Sequence, residues 1–549
     1  MKDLSKEIMA YALQNAIEYG KADPTRVLPK LFQHGLKKED IKKVMPVIVT
    51  AAKEVNALSD EKRKIAFANF EKYVKKHEEK ERELPELPNA SKKMVFRFAP
   101  FPSGALHIGN AKTYLLNTLY SEKYKAKILF VIDDTIGSEE KQIAPEAYKL
   151  IEEASAWLKM KYKKPIIYKS DRLKIYYEYG EKLLTMGKAY ICYCPQETLR
   201  DNRANGIECG CRQFPPKIQL ARWKEMFKQK EGESVMRIKT NMQDPNPAFR
   251  DRVLFKISDR KHPRIGNKYR VWPSLEMSWA IDDHLLGITH ILRGNDLRIE
   301  TDMEKYIWDI FGWKHPNTEH TGLIEIEGMG AKISKSKAQK EVASGEFTGW
   351  DDPRTWSMQS LKRRGITPEA IREFVKEIGL NRQDIVVPIE MLYAHNRRII
   401  DAETPRYSFV KDPLELNLSA LSIKEISVSV HPDTPEKTRT IPVNKIFISS
   451  SDAEKYNGQE IRLLHLCNIM LDKKPHITSY DNKKIPRINW VSDNVPVRIL
   501  MPDGTWTQGF GEKAIEKLKV GDVVQFERFG FCRFDKTHND IHEFWFAHQ

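Results

Sequence analysis

Between residues 94 and about 330, short apolar runs alternate with stretches in which apolar residues recur at helical spacing. The run "MVFRF" at 94 is β-branched and aromatic, as strands are, whereas Ile108, Ala111, Leu115 and Leu119 repeat at the spacing of a helix. Further runs of the strand type are "KILFVI" at 127, "VMRIKT" at 235, "GITHILRG" at 287 and "TGLIEIEG" at 321. This alternation predicts a largely parallel sheet with helices on both faces.

The two ends of the chain have different patterns. Residues 1 to about 85 are rich in Ala, Lys and Glu and end in the charged stretch "KKHEEKEREL", which indicates a small helical module on a linker. Residues 350 to 400 have a helical pattern with a Gly break and then a proline-started helix. After residue 404, short β-rich segments separated by Pro, Asp, Asn and Gly predict an all-β, barrel-like region.

The stretch "APFPSGALHIGN" at 99 places His107 where a predicted strand hands over to a helix. The free amides and the dipole at the start of a helix favour negative charge, so this junction suits a phosphate. It has neither the spaced glycines of a dinucleotide site nor the ending of a P-loop. The stretch "GMGAKISKSKAQ" at 328 supplies two lysines, Lys332 and Lys335, that can close on a triphosphate.

Taken singly, both stretches have ordinary readings, because such a histidine is usually a local hydrogen-bonding residue and a Lys/Ser loop is usually solvated surface. Taken together, they suit in-line attack on the α-phosphate of ATP. That reaction needs donors and cations held in place as pyrophosphate leaves.

Four of the six cysteines form two close pairs, and this cluster and the basic, Pro-punctuated stretch 195 to 270 interrupt the strand and helix alternation. Cys192 and Cys194 are followed, after fourteen residues, by Cys209 and Cys211. Four thiolates suit tetrahedral Zn²⁺, and with no open coordination position such a zinc would be structural. A metal-free knuckle is the alternative, since C-x-C pairs are less diagnostic than C-x-x-C pairs.

Charge and composition narrow the class of protein. In 549 residues, 91 Lys and Arg exceed 76 Asp and Glu by 15, which favours a polyanionic partner, with simple solubility as the alternative. The sequence contains no apolar run of the roughly 20 residues that span a bilayer, so we expect a cytoplasmic protein without a membrane contact. Six cysteines are few in so long a chain, and the crowding of four of them into 192–211 indicates metal binding rather than disulfides.

In this order, "HIGN" and "KISKS" resemble the two signature sequences of class I aminoacyl-tRNA synthetases, His-Ile-Gly-His and Lys-Met-Ser-Lys-Ser. Other stretches resemble the glutamyl/glutaminyl branch of that family, among them "YKSDRLKIYYEYGEKLLTMGKAYICYC", "AIDDHLLGITHILRGND", "GWDDPRTW" and "VVQFERFGFCRFD". The resemblance covers about 91 to 549, and the helical N-terminus is similar to that of archaeal-type glutamyl enzymes. It implies a multidomain α/β fold with a Rossmann-like catalytic domain, an acceptor-binding insertion, a helical stem-contact region and two anticodon-binding β-barrels.

The resemblance and the patterns together predict six segments. They are an N-terminal helical module (1–88), a first catalytic half (89–190), an acceptor-binding insertion with the cysteine knuckle (191–275), a second catalytic half with the KISKS loop (276–340), a helical stem-contact region (341–402) and the β-barrel region (403–549).

Two arginines at predicted strand ends favour glutamate as the substrate. A buried carboxylate needs a cation, and Arg97 and Arg293 could each offer a bidentate fork, although either could instead form a structural salt bridge. In the resembling family the Arg97 position contacts the substrate in both branches, whereas glutaminyl enzymes usually have a small residue at the Arg293 position. Asp133 stands where the family keeps a carboxylate for the substrate ammonium group.

The resemblance also implies the remaining site residues. His107, Asn110, Lys332 and Lys335 are expected in catalysis, and Pro100, Gly104, His107, Gly109 and Lys335 in ATP binding, with Mg²⁺ brought by the nucleotide. Four positions depart from the family pattern. Asn110 replaces the second histidine, and Phe101, Val131 and Leu275 stand where many members have serine, arginine and tyrosine.

These residues predict a glutamate-tRNA ligase that uses ATP, L-glutamate and a glutamate-acceptor tRNA. The alternatives are a glutaminyl enzyme and, less favoured because both signature lysines are present, a non-catalytic tRNA-binding paralogue. The sequence leaves open whether a glutamine-acceptor tRNA is also charged, and whether the N-terminal module docks a protein partner or contacts the tRNA. Trp490, Phe529 and Arg533 could contact unpaired bases but equally suit a barrel core.

Overall fold

In the computed structural model, which describes residues 4–74, 83–91, 93–137, 142–327, 335–418 and 422–549, the chain divides into two units, Met1–Arg82 and Glu83–Gln549. The first unit is helical, as the sequence pattern predicts. Its α-helices are α1 (Ser5–Tyr19), α2 (Pro24–Leu31), α3 (Ile41–Asn56) and α4 (Asp60–Phe70).

A buried arginine ties the helix ends of this unit together. Arg63 of α4 donates to the carbonyl of Gly20 at the end of α1 (2.8 Å) and to the carbonyls of Val55 (3.0 Å) and Asn56 (3.0 Å) at the end of α3. Since the last carbonyls of a helix lack partners within it, this one side chain satisfies two helix ends at once.

The boundary between the units lies before residue 88. Leu84 and Leu87 are buried in the core of the second unit, and the Leu87 amide donates to the Tyr124 hydroxyl (2.8 Å). The segment that we placed at the end of the N-terminal module therefore packs with the second unit.

The second unit begins with a parallel sheet whose two faces are both covered. Along the strand at 127–132, Ile128, Phe130 and Ile132 enter one hydrophobic core while Leu129 and Val131 enter another. Alternate residues of a strand point to opposite faces, so helices cover both sides, as the pattern predicts. The elements are β1 (Val95–Phe98), α5 (Ile108–Lys123), β2 (Lys127–Ile132), α6 (Ala147–Trp157), β3 (Lys163–Tyr168) and α7 (Leu173–Thr185), with the strands in the order β1-β2-β3.

A separate antiparallel sheet follows, in the order β4-β5-β6-β7. Its strand β5 contains the run "VMRI", which we had counted in the alternation that predicts parallel strands although it also lies in the predicted insertion; counting it with the parallel strands is wrong, because both its partners are antiparallel. The chain returns from β5 to β6 without an intervening α-helix, whereas a parallel partner needs a long crossover. The elements are β4 (Ala189–Cys192), α8 (Gln196–Asn205), α9 (Pro216–Met226), β5 (Val235–Ile238), β6 (Val253–Ile257) and β7 (Val271–Pro273).

The chain then returns to the parallel layer. The Thr289 amide donates to the Val95 carbonyl (2.9 Å), which sets the next strand beside β1, and two further parallel pairs follow, β8 with β9 and β10 with β11. We did not predict β11, because its four residues lie between two strong helical patterns. The elements are α10 (Leu275–Leu285), β8 (His290–Gly294), α11 (Arg298–Phe311), β9 (Asn317–Thr321), β10 (Ile324–Glu327), α12 (Lys335–Ala343), α13 (Met358–Arg364), α14 (Pro368–Ile378), β11 (Ile385–Pro388) and α15 (Ile389–Ile400).

The predicted break between α13 and α14 is present. Gly365 ends α13 with φ at +93°, a left-handed conformation that favours glycine, and Pro368 is the first residue of α14.

A buried lysine joins α5 to the ends of two of these strands. The Lys112 ammonium donates to Thr321 Oγ1 (2.8 Å), the Gly322 carbonyl (2.8 Å) and Asn381 Oδ1 (2.5 Å). Burial lowers the pKa of Lys112 to about 8, against the attraction of Asp384. The helix that begins after His107 is thus fixed to the segments on which β10 and β11 begin.

The C-terminal region is almost all β, as predicted. Within the described residues, β12 and β13 pair with strands from the far end of the chain in a seven-stranded sheet, β12-β24-β25-β26-β22-β23-β13. The intervening segment forms the sheet β20-β19-β18-β21 and the pairs β14-β17 and β15-β16, and Trp490 lies in its core. The elements are β12 (Arg406–Tyr407), β13 (Phe409–Lys411), β14 (Pro413–Leu416), β15 (Glu425–Ser429), β16 (Thr438–Pro442), β17 (Ile446–Ser449), α16 (Ser450–Lys455), β18 (Gln459–Leu463), β19 (Asn468–Leu471), β20 (His476–Ser479), β21 (Arg487–Ile488), β22 (Asn494–Leu500), β23 (Trp506–Glu512), β24 (Val523–Phe526), β25 (Gly530–His538) and β26 (Ile541–His548).

Among the described helices, none combines the length and the apolar character that crossing a bilayer requires.

Candidate active site

A cavity of about 900 Å³ lies between the carboxyl ends of the parallel strands and the antiparallel insertion. The carboxyl edge of a parallel sheet is where such folds bind ligands. The predicted site residues that line this cavity are Arg97, His107, Gly109, Asn110, Asp133 and Arg293. The structure therefore brings together residues from three strand ends and the start of α5.

His107 caps α5 and is held by a reciprocal pair of hydrogen bonds. The Gly109 amide donates to His107 Nδ1 (3.2 Å), and the His107 amide donates to Asn110 Oδ1 (3.0 Å). Because Nδ1 accepts a hydrogen bond, the ring proton of the neutral imidazole is assigned to Nε2. Asn110 therefore has a local role here, since its amide oxygen completes the cap.

Pro100 and Gly104 shape the loop before α5. The Asp133 amide donates to the Pro100 carbonyl (3.1 Å), and a Cβ added to Gly104 would lie 2.2 Å from the Trp350 ring. Gly104 also has φ at +152°. Neither residue is among the described residues that line the cavity, and their predicted role in ATP binding stays a prediction.

Arg97 lies in the cavity wall and already has a carboxylate partner. Its Nε and Nη2 donate to the two oxygens of Asp283 (2.5 and 2.8 Å), and its guanidinium stacks on the Trp279 ring at 3.5 Å. Burial opposes the charge, but Asp283 outweighs it and raises the pKa of Arg97. The sequence did not point to Asp283 or Trp279.

Asp133 also has internal partners. Its Oδ2 accepts from the Lys169 ammonium (3.2 Å) and from Trp279 Nε1 (3.0 Å), and its Oδ1 accepts from the Thr135 hydroxyl (3.0 Å). Lys169 lies 3.4 Å from the centre of the Trp279 ring. Burial lowers the pKa of Lys169, although Asp133 attracts its charge. A substrate ammonium at Asp133 would thus share this carboxylate with Lys169.

Arg293 is paired with a buried carboxylate at the end of β8. Its Nη1 donates to Glu304 Oε2 (2.7 Å) and to the Thr301 hydroxyl (3.1 Å). Burial raises the pKa of Glu304 to about 7, more than the attraction of Arg293 lowers it. Glu304 was not identified from the sequence.

The second predicted motif can be located only in part. Residues 328–334, including Lys332, lie outside the described residues, and so does the side chain of Lys335. The backbone of Lys335 begins α12. The predicted convergence of Lys335 and His107 on one nucleotide stays a prediction.

The departures from the family pattern fall in different places. Phe101 and Leu275 line the cavity, whereas Val131 is buried in the sheet.

The insertion adds cationic groups to the opposite wall. Arg252 is paired there with Glu276 (2.6 Å), next to Arg203 and Lys256.

The four clustered cysteines come together at one end of the insertion. The sulfurs of Cys192, Cys194, Cys209 and Cys211 all lie within 4.8 Å of one another, with Cys192 and Cys194 at 3.5 and 3.3 Å from Cys209. All four are free thiols. Four zinc-bound sulfurs about 2.3 Å from the ion would be separated by similar distances, so this set fits a tetrahedral ion.

Comparisons with known proteins cover both the catalytic region and the C-terminal region. A family model described as "tRNA synthetases class I (E and Q), catalytic domain" matches residues 93–402, and two described as "tRNA synthetases class I (E and Q), anti-codon binding domain" match 404–485 and 485–535.

Relatives named glutamate–tRNA ligase match nearly the whole chain. A glutamate–tRNA ligase of Methanocaldococcus jannaschii is 39% identical over 562 residues and all of both chains, and one of Pyrococcus furiosus is 40% identical over 569 residues and 98% of each. A solved glutamate-tRNA synthetase from Elizabethkingia anophelis is 20% identical with a TM-score of 0.40, covering 56% of this chain and 70% of that one. The family matches and the full-length relatives confirm the resemblance seen in the sequence: the chain belongs to the class I tRNA synthetases of the E and Q branch.

Proposed function

We propose that this chain is a glutamate–tRNA ligase. The observation that best supports this proposal is that Arg97, Arg293 and Asp133 line one cavity together with His107 at the start of α5. This arrangement can hold a dicarboxylic amino acid beside a nucleotide phosphate. Full-length relatives named glutamate–tRNA ligase support the assignment.

The first step joins glutamate to AMP. A carboxylate oxygen of glutamate attacks the α-phosphorus of ATP, the bond from that phosphorus to the bridging oxygen breaks, and pyrophosphate leaves. His107 Nε2 and the positive end of the α5 dipole stabilise the charge that develops on the phosphates, and Lys335 completes this stabilisation. Mg²⁺ that accompanies ATP would neutralise further phosphate charge.

The second step transfers glutamate to tRNA. A ribose hydroxyl of the terminal adenosine attacks the glutamyl carbonyl carbon, and AMP leaves. The surplus of 15 positive charges supports binding of an RNA backbone. The segments that match anticodon-binding models are the proposed binding region for the anticodon end of the tRNA.

A charging assay tests this function. Purified full-length chain, ATP and Mg²⁺ are incubated with glutamate-acceptor tRNA and either labelled glutamate or labelled glutamine, and acid-precipitable label is counted. We expect charging with glutamate. Charging with glutamine instead would establish the glutaminyl alternative, and the absence of charging with either amino acid would contradict an enzymatic role. A parallel reaction with glutamine-acceptor tRNA determines whether that tRNA is a substrate too.

We further propose that the four clustered cysteines hold a structural zinc ion. We expect about one zinc per chain by elemental analysis of protein purified without chelator. Cys209→Ser, which removes the sulfur closest to two others, should lose most of the metal, whereas Cys467→Ser, a buried cysteine elsewhere in the chain, should retain it. Because the knuckle lies in the insertion, Cys209→Ser should raise the KM for tRNA more than the KM for ATP. Equal zinc content in the two variants would refute the site.

A further inference from the structure

A buried ion pair under the cavity wall has groups that the internal contacts leave without partners. The side chains of Arg293 and Glu304 are 4% and 0% exposed and meet at 2.7 Å. Among the described residues, Arg293 Nε and Glu304 Oε1 have no hydrogen-bond partner. Arg293 reaches the cavity, whereas Glu304 approaches it from α11 behind. The guanidinium therefore lies between an internal carboxylate and the space that a ligand would fill.

The charges around Glu304 come from each element packed against it. Arg293 faces it from β8, Arg97 from β1 and Asp283 from α10. His320 on β9 is bonded to Thr301, and burial lowers its pKa to about 4, so it is neutral near pH 7. Asp283 is already held by both prongs of Arg97, and Arg293 is the cation bonded to Glu304.

These surroundings favour the protonated, neutral form of Glu304. Burial raises the pKa of Glu304 to about 7 despite Arg293, and the nearby Asp283 raises it further. A second carboxylate arriving at Arg293 would add another negative charge within a few ångströms. Two carboxylates that share one cation favour protonation of one of them.

We propose that Glu304 is a positioning residue that competes with the substrate for Arg293 and releases the charge of Arg293 by taking up a proton when glutamate binds. The inference rests on the proposed function. Protonated Glu304 can still accept the hydrogen bond from Arg293 Nη1, so the guanidinium stays oriented while its charge becomes available to the substrate. The proton comes from solvent and forms an O–H bond on the Glu304 carboxylate, and no bond between heavy atoms forms or breaks.

This exchange gives glutamate binding a defined pH dependence. At low pH, where Glu304 is already neutral, the Kd for glutamate is flat; as the pH rises through the pKa of Glu304, binding requires proton uptake, so the Kd rises with pH. Because one proton is taken up, the Kd should rise with pH by at most about tenfold per pH unit. L-Glutamine has a neutral side chain and should show a much smaller rise.

The experiment is calorimetric titration of the full chain with L-glutamate at pH 7.5 in two buffers of different ionisation enthalpy. We expect uptake of a measurable fraction of a proton, up to one, per glutamate bound. Glu304→Gln should reduce this uptake to near zero and make the Kd for glutamate independent of pH. Asp302→Asn is the matched control, because Asp302 is an exposed carboxylate on the same helix, α11, and pairs with Lys305 instead, and it should leave the uptake unchanged.

Several outcomes overturn the inference. They are wild-type binding without proton uptake, uptake that persists in Glu304→Gln, and equal pH dependence for glutamate and glutamine. If Glu304→Gln does not fold, the wild-type comparison of the two ligands still decides. Charging of tRNA with glutamate in the absence of proton uptake overturns this inference alone, whereas absence of glutamate charging overturns the proposed function first.

Discussion

Replacing Lys335 by alanine is expected to lower the rate of glutamyl-adenylate formation by about 10²-fold or more. As pyrophosphate leaves, negative charge grows on the phosphate oxygens, and an ammonium held there is worth more in the transition state than in the bound substrate. The effect should therefore fall mainly on kcat for activation. Binding of tRNA, which spreads over many cationic contacts, should change much less.

The measurement is glutamate-dependent ATP–pyrophosphate exchange, with tRNA present, alongside a filter-binding titration of the tRNA. Lys340→Ala is the matched control, because it removes an exposed lysine from the same helix, α12. We expect its exchange rate to stay within about twofold of wild type, as for surface substitutions in general. An unchanged activation rate in Lys335→Ala would contradict the assigned role.

Much of the fold could be predicted from local pattern. The strand before His107 and the helix after it both follow from residue spacing, and buried alternate residues of β2 confirm that helices cover both faces. Local chemistry also placed the Gly365 break and Pro368 correctly. The error at β5 has a different origin, because the residues of a short strand do not state whether its partner is parallel or antiparallel.

From the sequence, the candidate site could be predicted only where a single residue has a charge or a reactive group that indicates its role. Arg97, Asp133 and Arg293 stood out as charged groups at strand ends, but their partners Asp283, Lys169 and Glu304 lie on helices or loops far along the chain or on another face. A pairing across a fold leaves no periodic signal in the sequence. The salt bridges that we considered as alternatives for Arg97 and Arg293 are present, and both arginines also line the cavity.

Asn110 shows how a departure from a family pattern can have a local cause. From the sequence it was a lost histidine with remaining hydrogen-bonding capacity. In the structure its amide oxygen accepts from the His107 amide and closes the cap of α5. A side chain that orients the first turn can thus support the phosphate site without contacting a phosphate.

The second large effect is expected at Arg293, where Arg293→Gln should lower kcat/KM for glutamate by about 10²- to 10³-fold. Glutamine at this position keeps a hydrogen-bond donor but removes the cation that a buried substrate carboxylate requires. The kcat/KM of Arg293→Lys should lie between the values for wild type and Arg293→Gln, because lysine keeps the positive charge but cannot donate two parallel hydrogen bonds to a carboxylate. Steady-state charging with glutamate at fixed tRNA and ATP measures these values.

Arg293→Gln leaves Glu304 buried without its cationic partner, so a loss of folding has to be distinguished from a loss of substrate recognition. Since the pKa of Glu304 is already raised to about 7, that carboxyl can become neutral near neutral pH, and the protein should stay folded. The double variant Arg293→Gln with Glu304→Gln removes both buried charges and should show the same loss of kcat/KM as the single variant. Arg298→Gln, an exposed arginine just beyond β8, should behave as wild type. Recovery of glutamate charging in the double variant would show that the loss came from an unpaired Glu304, and Arg293 would then have no direct part in holding the substrate.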